Sequence, residues 1–289
     1  MTDFPTDAAN ALIALALAED LGEAGDVTSL STIPADRAGR VTFAVRTPGV
    51  VCGLPVIALV LGQLHAAVAV TLHVADGTPC ERGTRLASVE GPLRAILTAE
   101  RTALNFLQRL SGVATLTRKY VDAVAGLPVA LLDTRKTTPG WRLLEKYAVR
   151  RGGGTNHRVG LYDGVLIKDN HLAGMPDPRT AVTDAIAAAR SHPASRHLPI
   201  EVEVDTLDQL DEALASRPAI VLLDNMTNEQ LRDAVARRNA VAPGVLLEAS
   251  GGVNLATVRG IAETGVERIS VGAITHSATA LDIGLDYDS

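Results

Sequence analysis

Apolar positions follow two rhythms along the chain, and the change between them divides it. Residues 7–21 carry Leu12, Ile13, Ala16 and Leu17 at helical spacing, with Asp7 placed to cap the first turn. Stretches 40–46 and 68–74 alternate and favour β-branched residues, so they predict strands on either side of a short helix over 56–64. The turn-rich "DGTPCERGTRLASVEGP" predicts short antiparallel strands, and a long helical region runs from Leu93 past Leu110 toward Ala125. These pieces compose an α+β sandwich domain over residues 1–112, on which part of the chain end can also pack.

From Leu127 onward, short apolar runs alternate with amphipathic helical stretches, the pattern of βα units around a parallel sheet. The runs are "PVALLD", "DGVLIKD", "PIEVEV", "AIVLLDN", "GVLLEAS" and "ERISVGA", with helix candidates at 141–150, 179–190, 207–216, 228–237 and 255–263. Nearly every run ends in a chemically capable side chain or a glycine. Residues scattered over six strand ends meet at one mouth only if the sheet curls, so the fold class is α/β, with a closed or nearly closed C-terminal α/β barrel of fewer than eight strands over 113–289.

Four lysines stand among 27 basic residues, so Lys136 and Lys168, each at a strand end, are more informative than the arginines that dominate the surface. Lys136 follows Thr134 and Arg135 after the first run. Between the lysines, "RRGGGTNHRVGLYDG" offers His157 and Arg158 as donors suited to a carboxylate. Cations gathered at one mouth of a chain with net charge −6 predict a polyanionic substrate, unless each is simply paired with a nearby acid. Alternation puts Glu203 on one face of its strand together with Glu201, and Asp224 ends the next strand. These two acids either share a divalent ion such as Mg2+, through one acid or water, or neutralise the lysines. Ser250, Gly251 and Gly252, with Val271, Gly272 and Ala273, occupy the last two strand ends, where backbone N–H groups commonly hold a phosphate. Arg101 falls on the apolar stripe of the long helix, which calls for an internal partner or a target on another surface.

Composition narrows the classes further. The acidic balance and only eight aromatic residues speak against nucleic acid. Residues 47–75 lack any charge, but Pro48, Gly53, Pro55, Gly62, Gln63, His65 and His73 interrupt them, so a buried loop, helix and strand are expected in place of a membrane span. No Lys or Arg occurs in the first 36 residues, so a secretory leader is not expected and the cytoplasm is. Cys52 and Cys80 read as inert buried thiols.

The runs "DTRKTTPGWRLLEKYAVRRGGGTNHRVGLYDGVLIKDNH", "EVEVDTLDQLDEAL", "IVLLDNM" and "LEASGGVN", with "ERTALNFLQRLSGVAT" in the first domain, resemble the quinolinate phosphoribosyltransferase family across essentially the whole chain. The resemblance implies Mg2+-dependent transfer of phosphoribosyl from phosphoribosyl pyrophosphate to quinolinate with loss of CO2, giving nicotinate mononucleotide for NAD synthesis. It implies a homodimer in which one subunit's first domain caps the other's barrel, with Arg101 crossing over. It places Arg101, Arg135, His157, Arg158 and Lys168 around the dicarboxylate. Lys136, Lys168, Glu203 and Asp224 are then the catalytic set at ribose, pyrophosphate and metal, with Thr134 beside them. Ser250, Gly251, Gly252, Val271, Gly272 and Ala273 hold phosphate. Competing expectations are a molybdenum-operon relative acting on a different acceptor, a Schiff-base aldolase using Lys168, and a non-catalytic sensor of phosphorylated metabolites.

Overall fold

The computed structural model describes residues 3–288. In chain order the elements are α1 (Thr6–Leu21), α2 (Val27–Thr32), β1 (Ala38–Val45), β2 (Gly49–Val50), α3 (Pro55–Gln63), β3 (Ala69–Leu72), β4 (Pro79–Cys80), β5 (Arg85–Pro92) and α4 (Leu93–Ala123). There follow β6 (Ala130–Leu132), α5 (Arg142–Arg151), β7 (Val165–Ile167), α6 (Asp169–Ala173), α7 (Ala181–Ser191), β8 (Ile200–Val204), α8 (Leu207–Ser216) and β9 (Ile220–Asp224). The chain closes with α9 (Asn228–Val241), β10 (Leu246–Ser250), α10 (Val258–Ala262), β11 (Arg268–Ser270), α11 (Ala273–His276) and β12 (Ile283–Tyr287). Two compact units are interleaved along this order. One takes the chain up to Arg118, then Thr137–Gly153 and everything from Ile274; the other takes Lys119–Lys136 and Gly154–Ala273. The 112/113 position therefore lies inside α4.

The first unit is built on an antiparallel sheet of order β12-β1-β5-β3. Burial of Val41, Phe43 and Val45 on β1 and of Leu86 and Val89 on β5 supplies its core. Helix α4 carries hydroxyls at two positions for a local reason. Ser111 Oγ and Thr115 Oγ1 accept from the backbone N–H of Cys52 and Val50, each at 2.9 Å, and so satisfy backbone in and just after β2, a two-residue strand paired with β4. Asp7 is not the cap of α1: the N-cap is Pro5, with no side-chain bond, and Asp7 sits in the first turn, where its charge favours the helix dipole. Both cysteines are buried, and burial raises both thiols. No helix among the described residues is long and apolar enough to cross a membrane.

The second unit holds six parallel strands in the order β6-β11-β10-β9-β8-β7, connected by helices. The strands are three to five residues long, and from β7 to β11 each βα step moves to the neighbouring strand. The α/β class with a curled parallel sheet is as expected, but the ring does not close: among the described residues no ladder joins β6 to β7. Those two strands are only three residues each, and beyond β11 the sole further pairing of β6 is a bridge from Leu132 to Thr155. Reciprocal capping boxes, Thr206 with Gln209 and Thr227 with Gln230, start α8 and α9 just after β8 and β9. They fix the strand ends that carry Glu203 and Asp224.

Candidate active site

At the carboxyl ends of these strands, entirely within the second unit, lies a cavity of about 560 Å3. Its position follows from the topology, since parallel strands deliver all their C-terminal residues to one side. Thr134, Arg135 and Lys136 enter after β6, His157 and Arg158 from the loop before β7, and Lys168 from the end of β7. Glu203, Asp224, Ser250, Gly251 and Gly252, also expected, line it as well.

Asp133, fully buried, is the anchor of the cationic side: its carboxylate accepts from His157 N at 2.8 Å and Asn156 Nδ2 at 2.6 Å. Thr134 Oγ1 accepts from Lys136 N at 3.0 Å, which tightens the turn that presents both cations. Arg158 donates to Gly164 O at 3.1 Å; burial, and then the charge of Arg135, lowers its pKa. Two guanidiniums held in one pocket are chemically suited to an anion.

His157 has both ring nitrogens engaged by protein. Nε2 lies 3.0 Å from Glu201 and 3.4 Å from Glu248, and Arg158 N–H donates to Nδ1 at 2.8 Å. Burial opposes a charged ring, but hydrogen bonds and charge from the two carboxylates outweigh it and raise its pKa to about 9. Protonating Nδ1 forfeits the hydrogen bond from the Arg158 backbone N–H, so the charged form relies on the carboxylates. Glu248 is completely buried and also pairs with Arg268 Nε at 2.7 Å. This quartet forms the polar floor of the site.

On the acidic side, Lys168 Nζ lies 2.5 Å from Glu203 Oε2, so the expected internal ion pair is present at a lysine that also lines the cavity. The Asp224 carboxyl is pushed up by burial and then by the charges of Glu203 and Asp205. Acids crowded in this way, open to a cavity, suit a divalent cation that completes its shell with phosphate oxygens and water. Gly251 and Gly252 have φ of +90° and +61°, the left-handed region where a side chain is strained, and their turn follows directly on Ser250.

Four expected residues do not line the cavity. Arg101 is exposed on α4 in the first unit, because Ala99, Thr102, Ala103 and Phe106 take the buried positions around it. Val271 N–H is spent on Leu132 O at 2.9 Å, extending the β11–β6 pairing, and Gly272 and Ala273 stand beyond it outside the lining. Conversely, Asn225, Glu248 and Ser270 line the cavity without having been singled out. Glu248 was within reach of the alternation argument, being two residues before Ser250 on the same strand face.

Residues 26–111 match the N-terminal domain of quinolinate phosphoribosyl transferase and residues 113–286 its C-terminal domain. The chain is 47% identical over 288 residues to a nicotinate-nucleotide pyrophosphorylase (carboxylating) of Mycobacterium leprae, covering 99% of each. It is 41% identical to a chloroplastic nicotinate-nucleotide pyrophosphorylase (carboxylating) of rice, Oryza sativa subsp. japonica, covering 99% of this chain and 79% of that one. The solved nicotinate-nucleotide pyrophosphorylase of Francisella tularensis superposes with a TM-score of 0.89 at 39% identity, covering 99% of this chain and 98% of that one. By class, the fold is that of a phosphoribosyltransferase. The chain belongs to the quinolinate phosphoribosyltransferase family.

Proposed function

We propose that this chain transfers the phosphoribosyl group of phosphoribosyl pyrophosphate to quinolinate and releases CO2, yielding nicotinate mononucleotide and pyrophosphate. The observation that carries the reading is one cavity with two chemically distinct halves. Arg135 and Arg158 offer cations to a dicarboxylate, while Lys136, Glu203 and Asp224 adjoin a left-handed Ser250, Gly251, Gly252 turn suited to a sugar phosphate.

Arg135 and Arg158 clamp the two carboxylates and hold the pyridine nitrogen toward the ribose. The nitrogen lone pair forms the bond to the anomeric carbon as the carbon–oxygen bond to pyrophosphate breaks. Positive charge developing on the ribose is met by Glu203 and Asp224, and negative charge on the leaving oxygens by Lys136 and Lys168. Glu203 and Asp224 would hold Mg2+ directly or through water, and the ion would supply further neutralisation of the pyrophosphate. The ring carboxylate next to the now positive nitrogen leaves as CO2; its bonding pair stays on the ring carbon, which takes up a proton. Lys168 stays paired with Glu203 throughout, a contact that a Schiff-base nucleophile would have to give up.

The working form in this reading is a homodimer, with Arg101 serving the site of a second copy. Release of pyrophosphate and of CO2 from carboxyl-labelled quinolinate tests the whole. Equal amounts, requiring both substrates and abolished by a chelator, are expected. Pyrophosphate release without CO2, or an equal rate with nicotinate as acceptor, would refute it.

A further inference from the structure

Asn225, outside the set anticipated from the sequence, makes three connections at the seam between β9 and β10. Its backbone sits at φ +53°, in the left-handed region that asparagine tolerates better than most residues. Its N–H donates to Ser250 O at 2.9 Å, and its Nδ2 donates to Asp224 Oδ2 at 2.5 Å. The third connection is steric. A Cβ placed on Gly251 would collide with the Asn225 amide, with Oδ1 and Cγ the nearest atoms, so the glycine and the asparagine are fitted to each other. Asp224 and Ser250 are register partners on the two parallel strands, so one residue spans both strand ends.

We propose that Asn225 is a positioning residue, which orients the Asp224 carboxylate and shapes the Ser250, Gly251, Gly252 turn as one unit, and thereby builds the phosphoribosyl pyrophosphate half of the cavity. The inference rests on the function proposed above. The amide takes one oxygen of Asp224 and turns the other toward the cavity, and the bond to Ser250 O holds the turn at the height of that carboxylate. Arg135 and Arg158, which serve the dicarboxylate, enter after β6 and before β7, at the two ends of the strand order and away from the β9–β10 seam, so the two substrates should respond differently to its loss.

Two variants separate the amide from the backbone. Asn225→Gly keeps the left-handed conformation and the N–H to Ser250 while deleting the amide; Asn225→Asp keeps size and conformation but removes the donor and sets a second negative charge against Asp224. Steady-state kinetics with each substrate varied, and melting curves, are the readouts. Both variants are expected to melt within a few degrees of wild type. The KM for phosphoribosyl pyrophosphate should rise about tenfold or more in Asn225→Gly and further in Asn225→Asp, with the KM for quinolinate changed less than about threefold. An unchanged KM for phosphoribosyl pyrophosphate in both variants, or equal changes for both substrates, overturns the role. If one variant does not fold, the same comparison is made on the other. A wild-type protein that releases no pyrophosphate overturns the function itself, and this role with it.

Discussion

Replacing Arg158 with methionine tests whether the cationic side of the cavity exists for a ligand or for the fold. Methionine keeps most of the apolar stem and removes the guanidinium. In the empty protein that guanidinium is half-buried, faces Arg135 and makes one bond to Gly164 O, so its loss removes a hydrogen bond and a repulsion together. The first is worth about 1 kcal/mol and the second opposes it, so the melting temperature should stay within about 4 °C of wild type. Binding behaves otherwise. A hydrogen bond to a charged group contributes about 1.5–3 kcal/mol, and losing one such contact of 2–3 kcal/mol weakens quinolinate roughly 30- to 150-fold. Calorimetric titration of quinolinate into wild type and Arg158→Met, alongside melting curves, measures both. Affinity within threefold of wild type would remove Arg158 from the receptor, and a collapse of the fold would make it structural.

Three further outcomes can be checked. In the first unit, Glu145 is fully buried and held by Arg109 at 2.5 Å and by Thr138, while Arg109 also donates to Thr275 O and Ala278 O; Arg109→Met should lower unfolding free energy by about 3 kcal/mol, and Arg109→Met with Glu145→Gln should lose less than the sum of the single changes, whereas additivity in denaturant titrations would contradict the pairing. The folded pKa of His157 is raised from 6.5 to about 9, so its contribution to stability is fully present below about pH 6.5 and lost as pH rises toward 9; an imidazole NMR titration below 6.5 would show that the hydrogen bond from the Arg158 backbone N–H to Nδ1 wins over the carboxylates. Mixing Arg101→Ala with Lys168→Ala protein should restore part of the activity if sites are shared between copies, and no recovery despite subunit exchange counts against sharing.

How much of this was readable from residues alone depends on the range over which each feature is encoded. The α8 helix was predicted over 207–216 and occupies those residues, and α4 follows its apolar rhythm to Ala123, because helical periodicity is local. Strand ends carrying Glu203, Asp224 and Ser250 converge because six short parallel strands leave them no other place. Arg101 was assigned to the buried stripe between Leu97 and Leu104; Leu104 is buried together with Ala99, Ala103 and Phe106, but Leu97 is only partly buried and Arg101 is exposed, a phase that only packing decides. β12 gave no signal: "DIGLDY" is short and mixed, and its strand character depends on β1 far upstream. Asn225 was equally silent, since a left-handed φ at a non-glycine residue leaves no trace in composition.

The pairing of β12 with β1 has a consequence for how the protein is made. Arg46 and Asp286, which bond across that pairing, are 240 residues apart, so at ordinary translation rates roughly 10–50 s separate their emergence from the ribosome. Once β5 has emerged, β1 has it on one side and an open hydrogen-bonding edge on the other until β12 arrives. Biogenesis of the amino-terminal half therefore waits on the carboxyl-terminal residues, and a nascent chain stalled late in synthesis would display a ready template for aggregation or chaperone capture.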